Sequence, residues 1–354
     1  MNIILDSRKI EDYGIGVYCR HLFQGLVDSS FFDYRIIHLR KTGYLNAPDE
    51  SFIEASFKNY DLREHLEVPI KLRKLKDFHY FSPHYVFPLF LKNRLIVTVH
   101  DLIHFKFPHF FKPAVKVELG KFFLNRVKRR AEVVFVGSET TRNDLVDMFR
   151  FDGNLIHVIY YGISSLFFNK PRNHSPFKFP YLIYMGSLKP HKNLGTLLKA
   201  FLLIKNQYSD LRLLLVGIQQ DKAFLKTLQD LKLTERVVIK EYQSEETLIH
   251  YIDGAEFLVF PSFYEGFGFP PLEAMARKKA VVSSPGGSLR EILGENALFF
   301  NPESYEELSE KITLFLEDDE LRKTYQEKGY HHSLSFQWEK TVNMYLAVLK
   351  EVIS

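Results

Sequence analysis

The chain has very little cysteine or tryptophan and no long apolar run. It contains one Cys and one Trp among 354 residues, and the lone Cys19 excludes internal disulfides and cysteine-rich zinc sites. No run approaches the ~18–20 apolar residues that a membrane-spanning helix needs. Residues 1–6 are too short and too soon charged for a signal peptide, and they are predicted to form a first strand. These absences favour a cytoplasmic protein.

The charge is modest and unevenly distributed. The net charge is +4, with 24 Lys and Arg against 19 Asp and Glu in residues 1–165. Because this excess is mild and no nucleic-acid-binding module is visible, nucleic acid is not expected as a partner. Basic residues concentrate in 71–76 and 126–130, where apolar residues alternate with them. Such segments either form solvated helix faces or lie on an anionic membrane surface, and both alternatives stay open.

Short apolar strands alternate with amphipathic helices along the chain, which predicts an α/β protein with parallel sheets. Hydrophobic residues make up 46% and charged residues 25% of the chain, as in ordinary globular proteins, and the length suits two domains. The pattern restarts after 166–180, a polar segment with prolines that is predicted to be a linker. We therefore predict domains at 1–165 and 181–335, with a further helix at 336–354.

Loops that carry candidate functional residues follow several predicted strands. Gly14, His100, Gly186 and Glu265 all lie just beyond a strand. Ligands of parallel α/β sheets bind at the carboxyl ends of the strands. We therefore expect these loops to converge on one cleft between the two domains.

The stretch PSFYEGFGFPPLEAMA in the second half contains the strongest chemical pattern. It follows a buried strand, turns through glycines and enters a helix. The amides of Gly266, Phe267 and Gly268, with the helix dipole, could face a phosphate. Two carboxylates, Glu265 and Glu273, flank this loop; they would repel a phosphate but suit hydroxyl groups. Phosphate and hydroxyl recognition together indicate a nucleotide sugar.

Glu265 and Glu273 are separated by seven residues, and this arrangement resembles the E-x7-E motif of retaining GT-B glycosyltransferases, particularly glycosyltransferase family 4. The resemblance covers nearly the whole chain. It implies two Rossmann-like domains that face each other across a cleft, with the acceptor on the N-terminal side, the nucleotide-sugar donor on the C-terminal side and a last helix that crosses back to the N-terminal domain. It also implies that Glu265 binds the donor sugar and its oxocarbenium-like centre, while Glu273 binds the ribose hydroxyls.

Two N-terminal motifs extend the resemblance. Gly14 and Gly16 lie between the first strand and the first helix, where family 4 enzymes have a glycine turn that faces the donor phosphates; a tight turn without a ligand is the alternative. The strand RLIVTVHD ends at His100 and Asp101. It is similar to the family stretch whose His contacts the donor sugar, so we predict that both residues are catalytic.

The loop that begins at Gly186 and Ser187 leads to Lys192. A cation at the start of a helix is the expected partner of a diphosphate leaving group, and Lys192 with the following Asn matches the Lys-Asn pair of the family. Many members carry an Arg in the upstream turn, where this chain has Ser187 and Lys189, so the second phosphate-neutralising charge is left open. Tyr242 enters the loop that holds the nucleobase in the family.

The resemblance implies a retaining transfer of a hexose from a nucleotide-diphosphate sugar to a hydroxyl of a saccharide or lipid-linked acceptor, in surface polysaccharide or lipopolysaccharide synthesis. GDP-mannose is favoured as donor over UDP-hexoses. No Asp-x-Asp, the metal–diphosphate motif of the other main glycosyltransferase fold, occurs in the sequence, so no metal or other cofactor is expected. The alternatives are a nucleotide-sugar epimerase or phosphorylase of the same architecture, and a non-catalytic nucleotide-sugar- or membrane-binding protein.

Overall fold

The computed structural model describes residues 2–12, 14–40, 42–59, 61–111, 115–170, 175–219 and 221–353. The chain forms two compact units. The first comprises Met1–Gly162 and Gln337–Ser354, and the second comprises Ile163–Phe336. Within the described ranges, no helix combines the length and apolar character needed to cross a bilayer.

The first unit contains a seven-stranded parallel sheet. Its strands are β1 (Asn2–Asp6), β2 (Asp33–His38), β3 (Phe52–Glu54), β4 (Phe78–Ser82), β5 (Arg94–Val99), β6 (Ala131–Val136) and β7 (Ile156–Val158). Its helices are α1 (Ile15–Asp28), α2 (Glu64–Leu72), α3 (Ile103–Lys106), α4 (Val115–Arg130) and α5 (Glu139–Phe149). The strand order is β3-β2-β1-β4-β5-β6-β7. The central strands are almost wholly buried, and β5 and β6 are largely apolar, as a sheet that is covered on both faces requires.

The second unit repeats this architecture with six parallel strands. They are β8 (Tyr181–Met185), β9 (Arg212–Val216), β10 (Val237–Lys240), β11 (Leu258–Phe260), β12 (Val281–Ser283) and β13 (Leu298–Phe299). Its helices are α6 (Leu194–Ile204), α7 (Lys222–Asp230), α8 (Glu245–Gly254), α9 (Phe269–Ala276), α10 (Leu289–Leu293), α11 (Tyr305–Glu317) and α12 (Asp319–Ser333). The strand order is β10-β9-β8-β11-β12-β13.

Both sheets have Rossmann strand order, in which the direction of strand addition reverses next to the first strand. The reversal falls between β1 and β4 in the first sheet and between β8 and β11 in the second. This confirms the predicted α/β class with two Rossmann-like units. At each reversal point, the connections that follow the two neighbouring strands run to opposite faces of the sheet. Ligands of such sheets bind in the crevice between these connections, so the two reversal points are the candidate ligand sites.

Strand β4 is the central element that the sequence pattern did not predict. Its sequence is FHYFS, and all five residues are buried between β1 and β5. His79 and Ser82 interrupt the apolar run, which hides the strand from a hydrophobicity pattern. Both are satisfied by hydrogen bonds. His79 contacts Glu132, 53 positions away in the chain, at 3.1 Å, and the Ser82 hydroxyl donates to the nearby His84 carbonyl at 2.6 Å.

The last helix, α13 (Trp338–Ile353), belongs to the first unit. It packs on α1 so closely that a Cβ on Gly25 would lie 2.4 Å from a methyl group of Val342. The Trp338 ring stacks on His21 at 5.1 Å between centroids. The change from the first unit to the second falls just after residue 162, and residues 171–174 of the predicted linker lie outside the described residues.

Arg277 anchors the beginning of the second unit. Its guanidinium donates two hydrogen bonds of 2.7 Å to the Asp253 carboxylate, and the exposed fractions of the two side chains are 1% and 0%. The same guanidinium donates to the carbonyls of Phe167 and Asn169. The N–H groups of the buried Arg277 guanidinium are thus used in hydrogen bonds. These bonds hold the segment before β8 against helices α8 and α9.

Replacing Arg277 by Ala should destabilise the second unit by about 3–5 kcal/mol, because it leaves the Asp253 carboxylate buried without a partner. The free energy of unfolding can be followed in the full chain by hydrogen exchange with mass spectrometry, which assigns the loss of protection to peptides of the second unit. Lys278→Ala is the matched control. Its ion pair with Glu327 is exposed, so its loss should cost about 0–1 kcal/mol. Equal effects of the two changes would contradict the anchoring role.

Candidate active site

An ion pair joins the two loops that flank the reversal point of the second sheet. Lys192 lies in the loop after β8 and Glu265 in the loop after β11, the neighbouring strand. The Lys192 Nζ donates to both Glu265 carboxylate oxygens at 2.7 and 2.9 Å. The exposed fractions of the two side chains are 19% and 13%. Because ligands of such sheets bind at the reversal point, this pair marks the candidate site.

Asn193 fixes the loop that carries Lys192. Its φ of 54° lies in the left-handed region, which Asn adopts more readily than most residues. The Asn193 Nδ2 donates to the carbonyls of Pro261 at 3.0 Å and Pro302 at 2.8 Å. These bonds fasten the loop after β8 to the loop after β11, and they therefore help to place Lys192 beside Glu265.

Backbone contacts hold Glu265 from the other side. The Ser288 N–H and hydroxyl donate to the Glu265 carbonyl at 3.0 and 3.1 Å, and the hydroxyl also donates to the Phe267 carbonyl at 3.1 Å. A Cβ on Gly287, whose φ is 65°, would lie 2.3 Å from the Glu265 carbonyl oxygen. Only glycine fits this approach. Gly266 lies between the two anchored residues and shares their fixed backbone.

The start of helix α9 differs from an ordinary helix N-terminus. Gly268 caps it with a φ of 103°, and the first helical residue is Phe269. Pro270 and Pro271 follow and carry no amide hydrogen. The Phe267 side chain is buried against Phe269, with 5.2 Å between the ring centroids. Any anion bound here would therefore meet the amides of the preceding loop, with few contributed by the helix itself.

Glu273 lies in the second turn of α9. Burial, and then the charge of Glu245, raise the pKa of Glu273 to about 8. Its carboxyl group has no hydrogen-bond or ion-pair partner among the described residues. At neutral pH it carries a proton, so it can both donate and accept a hydrogen bond, as a sugar hydroxyl does.

The remaining predicted donor residues of the second unit lie along the same edge of the sheet. Gly186 follows β8, and its amide donates to the Val216 carbonyl at 3.0 Å, so this amide extends the sheet. The Tyr184 hydroxyl donates to the Ser187 carbonyl at 3.0 Å, which shapes the turn before Lys192. Tyr242 follows β10 with 36% of its surface exposed.

In the first unit, the predicted glycines have structural roles of their own. Gly14 caps α1 with a φ of 80°. A Cβ on Gly16 would lie 2.5 Å from the Ile10 carbonyl oxygen, so the turn itself requires glycine there. Their contact with donor phosphates stays a prediction.

His100 follows β5, and both of its ring nitrogens are engaged. Nε2 lies 2.8 Å from the Pro83 carbonyl oxygen and Nδ1 lies 3.0 Å from the Tyr161 hydroxyl. A carbonyl can only accept, so Nε2 carries the proton and Nδ1 accepts from Tyr161. Burial lowers the pKa of His100 to about 4. The Asp101 carboxylate accepts from the Ile103 N–H at 3.1 Å, at the beginning of helix α3.

The structure therefore gathers the predicted residues into two groups. Lys192 and Glu265 are in direct contact, and the 266–268 loop is continuous with them. Gly14, His100 and their neighbours belong to the first unit. Within the described part of the chain, no group of three or more His, Cys, Asp or Glu side chains is placed to hold a metal ion.

Sequence reasoning did not find the contacts of three residues that position this machinery: Asn193, Ser288 and Tyr161. Asn193 is part of the Lys-Asn pair that the sequence showed, and Ser288 follows Gly286 and Gly287 at a turn into a helix, so both positions could have been suspected. The contact of Tyr161 with His100 joins residues 61 positions apart. No local sequence pattern predicts this contact. A Cβ on Gly137 would lie 2.7 Å from the Tyr161 ring, so this glycine makes room for it.

Family profiles match nearly the whole chain. The profile described as Glycosyltransferase Family 4 matches residues 14–165, and the profile described as Glycosyl transferases group 1 matches residues 167–332. Among curated relatives, O-antigen chain mannosyltransferase B of Escherichia coli is 28% identical, with 77% of this chain and 75% of that protein covered. O-antigen chain mannosyltransferase RfbU of Salmonella typhimurium is 31% identical over 63% of this chain and 60% of its own length.

Solved structures share the fold at low sequence identity. A sucrose-phosphate synthase from Thermosynechococcus elongatus has a TM-score of 0.81 at 19% identity and covers 99% of both chains. HepE from Anabaena, in complex with UDP-glucose, has a TM-score of 0.78 at 16% identity and covers 99% of this chain and 100% of its own. Fold and profiles together define a GT-B glycosyltransferase. Within that class, the chain belongs to the family 4, group 1 glycosyltransferases.

The His100 ring should stay neutral, with its proton on Nε2, throughout the range from pH 7 to pH 5. Its folded pKa of about 4 lies below the ordinary value of 6.5. The unfolded chain therefore binds the proton more readily, and the contribution of His100 to stability is lost as the pH falls from 6.5 through 4. Nitrogen-15 NMR of the imidazole reports both the tautomer and the titration.

Tyr161→Phe removes the hydroxyl that donates to Nδ1, so it should shift the Nδ1 resonance of His100. Tyr160→Phe changes the exposed neighbouring tyrosine and is the matched control, which should leave that resonance unmoved. Protonation of His100 near pH 6.5, or a proton on Nδ1 at neutral pH, would show that the ring is held differently.

Proposed function

We propose that this glycosyltransferase transfers a hexose, with retention of the anomeric configuration, from a nucleotide-diphosphate sugar to a hydroxyl of a saccharide or lipid-linked acceptor. The proposed setting is the assembly of a surface polysaccharide on the cytoplasmic side of a membrane. The observation that carries the proposal is the Lys192–Glu265 pair at the reversal point of the second sheet.

Lys192 is suited to the leaving diphosphate. Its ammonium group has three donors, and among the described residues Glu265 is its hydrogen-bonding partner. A diphosphate that reached this loop would take over donors now directed at the carboxylate. The developing negative charge would then be stabilised by a cation in a site that is 19% exposed or less, where electrostatic interactions are stronger than in water.

Glu265, once it shares Lys192 with a diphosphate, is free to accept hydrogen bonds from the donor-sugar hydroxyls. Its carboxylate also opposes the positive charge that develops at the anomeric carbon. In the proposed step, the bond from that carbon to the leaving phosphate oxygen breaks on the face where the acceptor oxygen forms its bond. The acceptor proton passes to the departing phosphate. Glu273, protonated at neutral pH, is assigned to the ribose hydroxyls.

The choice of donor rests on the relatives. Two of them are named O-antigen chain mannosyltransferases and others are named serotype-specific mannosyltransferases, which favours GDP-mannose. HepE from Anabaena was solved with UDP-glucose, so UDP-hexoses are the second choice. The acceptor class follows the same relatives, one of which is named for transfer to a diphospho-undecaprenol saccharide.

Lys192→Met should abolish stabilisation by GDP in a thermal-shift assay and reduce hexose transfer by about 10²–10³-fold, because it removes the cation for the leaving group. Glu265→Ala should reduce transfer to a similar extent but keep GDP binding, because the carboxylate faces the sugar. Lys199→Met and Glu295→Ala change exposed residues of the same unit and serve as controls that should keep full activity. A fully active Glu265→Ala enzyme would disprove the assignment.

Among GDP-mannose, UDP-glucose, UDP-galactose and UDP-N-acetylglucosamine, GDP-mannose should raise the thermal transition most. The anomeric proton of the product should show retained configuration by NMR. Formation of a new nucleotide sugar without an acceptor would instead indicate an epimerase.

We also propose that transfer needs no divalent metal, because Lys192 supplies the charge that the leaving diphosphate requires. The rate should therefore be the same with and without a chelator. Loss of turnover on chelation, with recovery on adding Mg²⁺ or Mn²⁺, would contradict this proposal.

A further inference from the structure

Helix α13 contacts the surroundings of His100 through aromatic side chains. Its first residue, Trp338, is 9% exposed, and the indole stacks on His21 and on Tyr161. Each of these two rings is inclined by only 12° to the indole, with centroid distances of 5.1 Å for His21 and 6.3 Å for Tyr161. Tyr161 is the residue whose hydroxyl donates to the His100 Nδ1. Trp338 therefore packs directly on the ring that holds His100.

Close backbone contacts fix Trp338 beside Tyr161. A Cβ on Gly162, the residue after Tyr161, would lie 2.2 Å from the Trp338 amide nitrogen, so the two chain segments approach as closely as glycine allows. The Thr341 hydroxyl donates to the Tyr160 carbonyl at 2.9 Å. The start of α13 and the segment that carries Tyr161 are thus joined on both sides of the ring stack.

A second connection runs from α13 through Tyr18. The Tyr345 hydroxyl accepts from the Tyr18 hydroxyl at 3.1 Å, and both side chains are fully buried. The Tyr18 hydroxyl also lies 2.6 Å from the Oγ1 of Thr98, which is in β5 two residues before His100. The Tyr18 ring meets the His100 ring edge-on, with 4.9 Å between the centroids. Tyr18 therefore contacts both the imidazole and the strand that leads to it.

The tyrosine hydroxyls do more than fill the core. Phe in place of Tyr18, Tyr161 or Tyr345 would fill nearly the same space without needing a partner, whereas a buried hydroxyl that lacks one costs free energy. The hydrogen bonds of these hydroxyls lead to His100 and to Thr98. Because hydrogen bonds are directional, they fix the orientation of the imidazole, which packing alone would leave less defined.

We propose that helix α13 positions the His100 imidazole for hexose transfer. Trp338 acts through Tyr161, and Tyr345 acts through Tyr18, so all four are positioning residues. The last helix of the chain thereby contributes to the chemistry although none of its residues is assigned to a ligand. The positioning of the ring rests on these contacts alone. Its consequence for transfer rests on the proposed function.

Trp338→Leu tests the first connection, because it removes the ring that stacks on Tyr161. The His100 Nδ1 resonance in nitrogen-15 NMR should shift, since the Tyr161 hydroxyl is no longer held toward it. The kcat of hexose transfer should fall about ten- to a hundredfold, as small misplacements of reacting groups do. Stabilisation by GDP should be unchanged, because GDP lacks the sugar and its binding is assigned to the second unit.

Trp338→Phe should recover most of the resonance position and of kcat. The indole N–H has no hydrogen-bond partner among the described residues, so the contribution of Trp338 is the stacked ring, which Phe also supplies. Failure of this variant to recover either property would contradict the stacking role.

Val342→Ala is the matched control. Val342 lies on the same helix and packs against Gly25 of α1, so its truncation weakens the docking of α13 without removing an aromatic ring. It should lower the thermal transition but leave the His100 resonance and kcat unmoved. Equal changes in Val342→Ala and Trp338→Leu would overturn the proposal, because any loosening of α13 would then disturb His100.

The double variant of Trp338→Leu and Tyr161→Phe shows whether one residue acts through the other. Tyr161→Phe already breaks the hydrogen bond to the His100 Nδ1. Trp338→Leu should therefore have little further effect on the resonance or on kcat in that background. Fully additive effects would show that Trp338 acts by another route and would overturn the proposal.

Tyr345→Phe tests the second connection by a smaller change that keeps the ring. It removes the acceptor of the Tyr18 hydroxyl, so the His100 resonances should shift and kcat should fall about fivefold, the effect of one hydrogen bond of average strength. Unmoved resonances would contradict the second connection. Circular dichroism checks that each variant is folded. The NMR measurement needs no substrate, so failure of the positioning role and failure of the proposed function are separate outcomes.

Discussion

All strand pairs in both sheets are parallel, and the placement of the loops that carry the candidate site residues depends on this constraint. Parallel strands of one sheet end at the same edge, so every loop that follows a strand emerges there. At the reversal point of the second sheet, the chain leaves β8 and β11 toward opposite faces and opens a gap between their loops. The buried apolar strands supply the stability, and the loops are free to carry polar groups. Asn193 and Ser288 then restrict these loops to one arrangement through backbone carbonyls.

Two ion pairs of the second unit show how similar chemistry serves different purposes. Arg277 and Asp253 are almost fully buried, and the guanidinium also bonds to backbone carbonyls. No ligand could displace such a pair without unfolding its surroundings. Lys192 and Glu265 remain partly exposed, and the hydrogen bonds of the lysine run to the glutamate. An ion pair that is only partly desolvated and has few other hydrogen bonds can exchange its partner for a ligand group at a modest cost in free energy, as a binding site requires.

The sequence predicted the regular part of the molecule well, because strands such as β5 and β8 are continuous apolar runs that a two-sided sheet demands. It failed at β4, where His79 finds its partner Glu132 only through the tertiary fold. The same distinction holds at the site. Lys192 and Glu265 were recognisable from local motifs, but their direct contact across 73 positions was not. The hydrogen bonds of both His100 ring nitrogens, to Tyr161 and Pro83, likewise arise only when the chain is folded.

Helix α13 makes the first unit discontinuous in sequence, whereas the second unit is a single continuous segment. During synthesis, residues 163–336 can therefore complete their own sheet as soon as they leave the ribosome. The earlier-made half must wait, with the surface around Gly25 uncovered, until the segment with Val342 emerges to cover it. The half of the protein that is translated first is thus the last to be finished. Nascent chains halted just before residue 337 would be expected to hold one mature unit and one that still exposes apolar surface to chaperones.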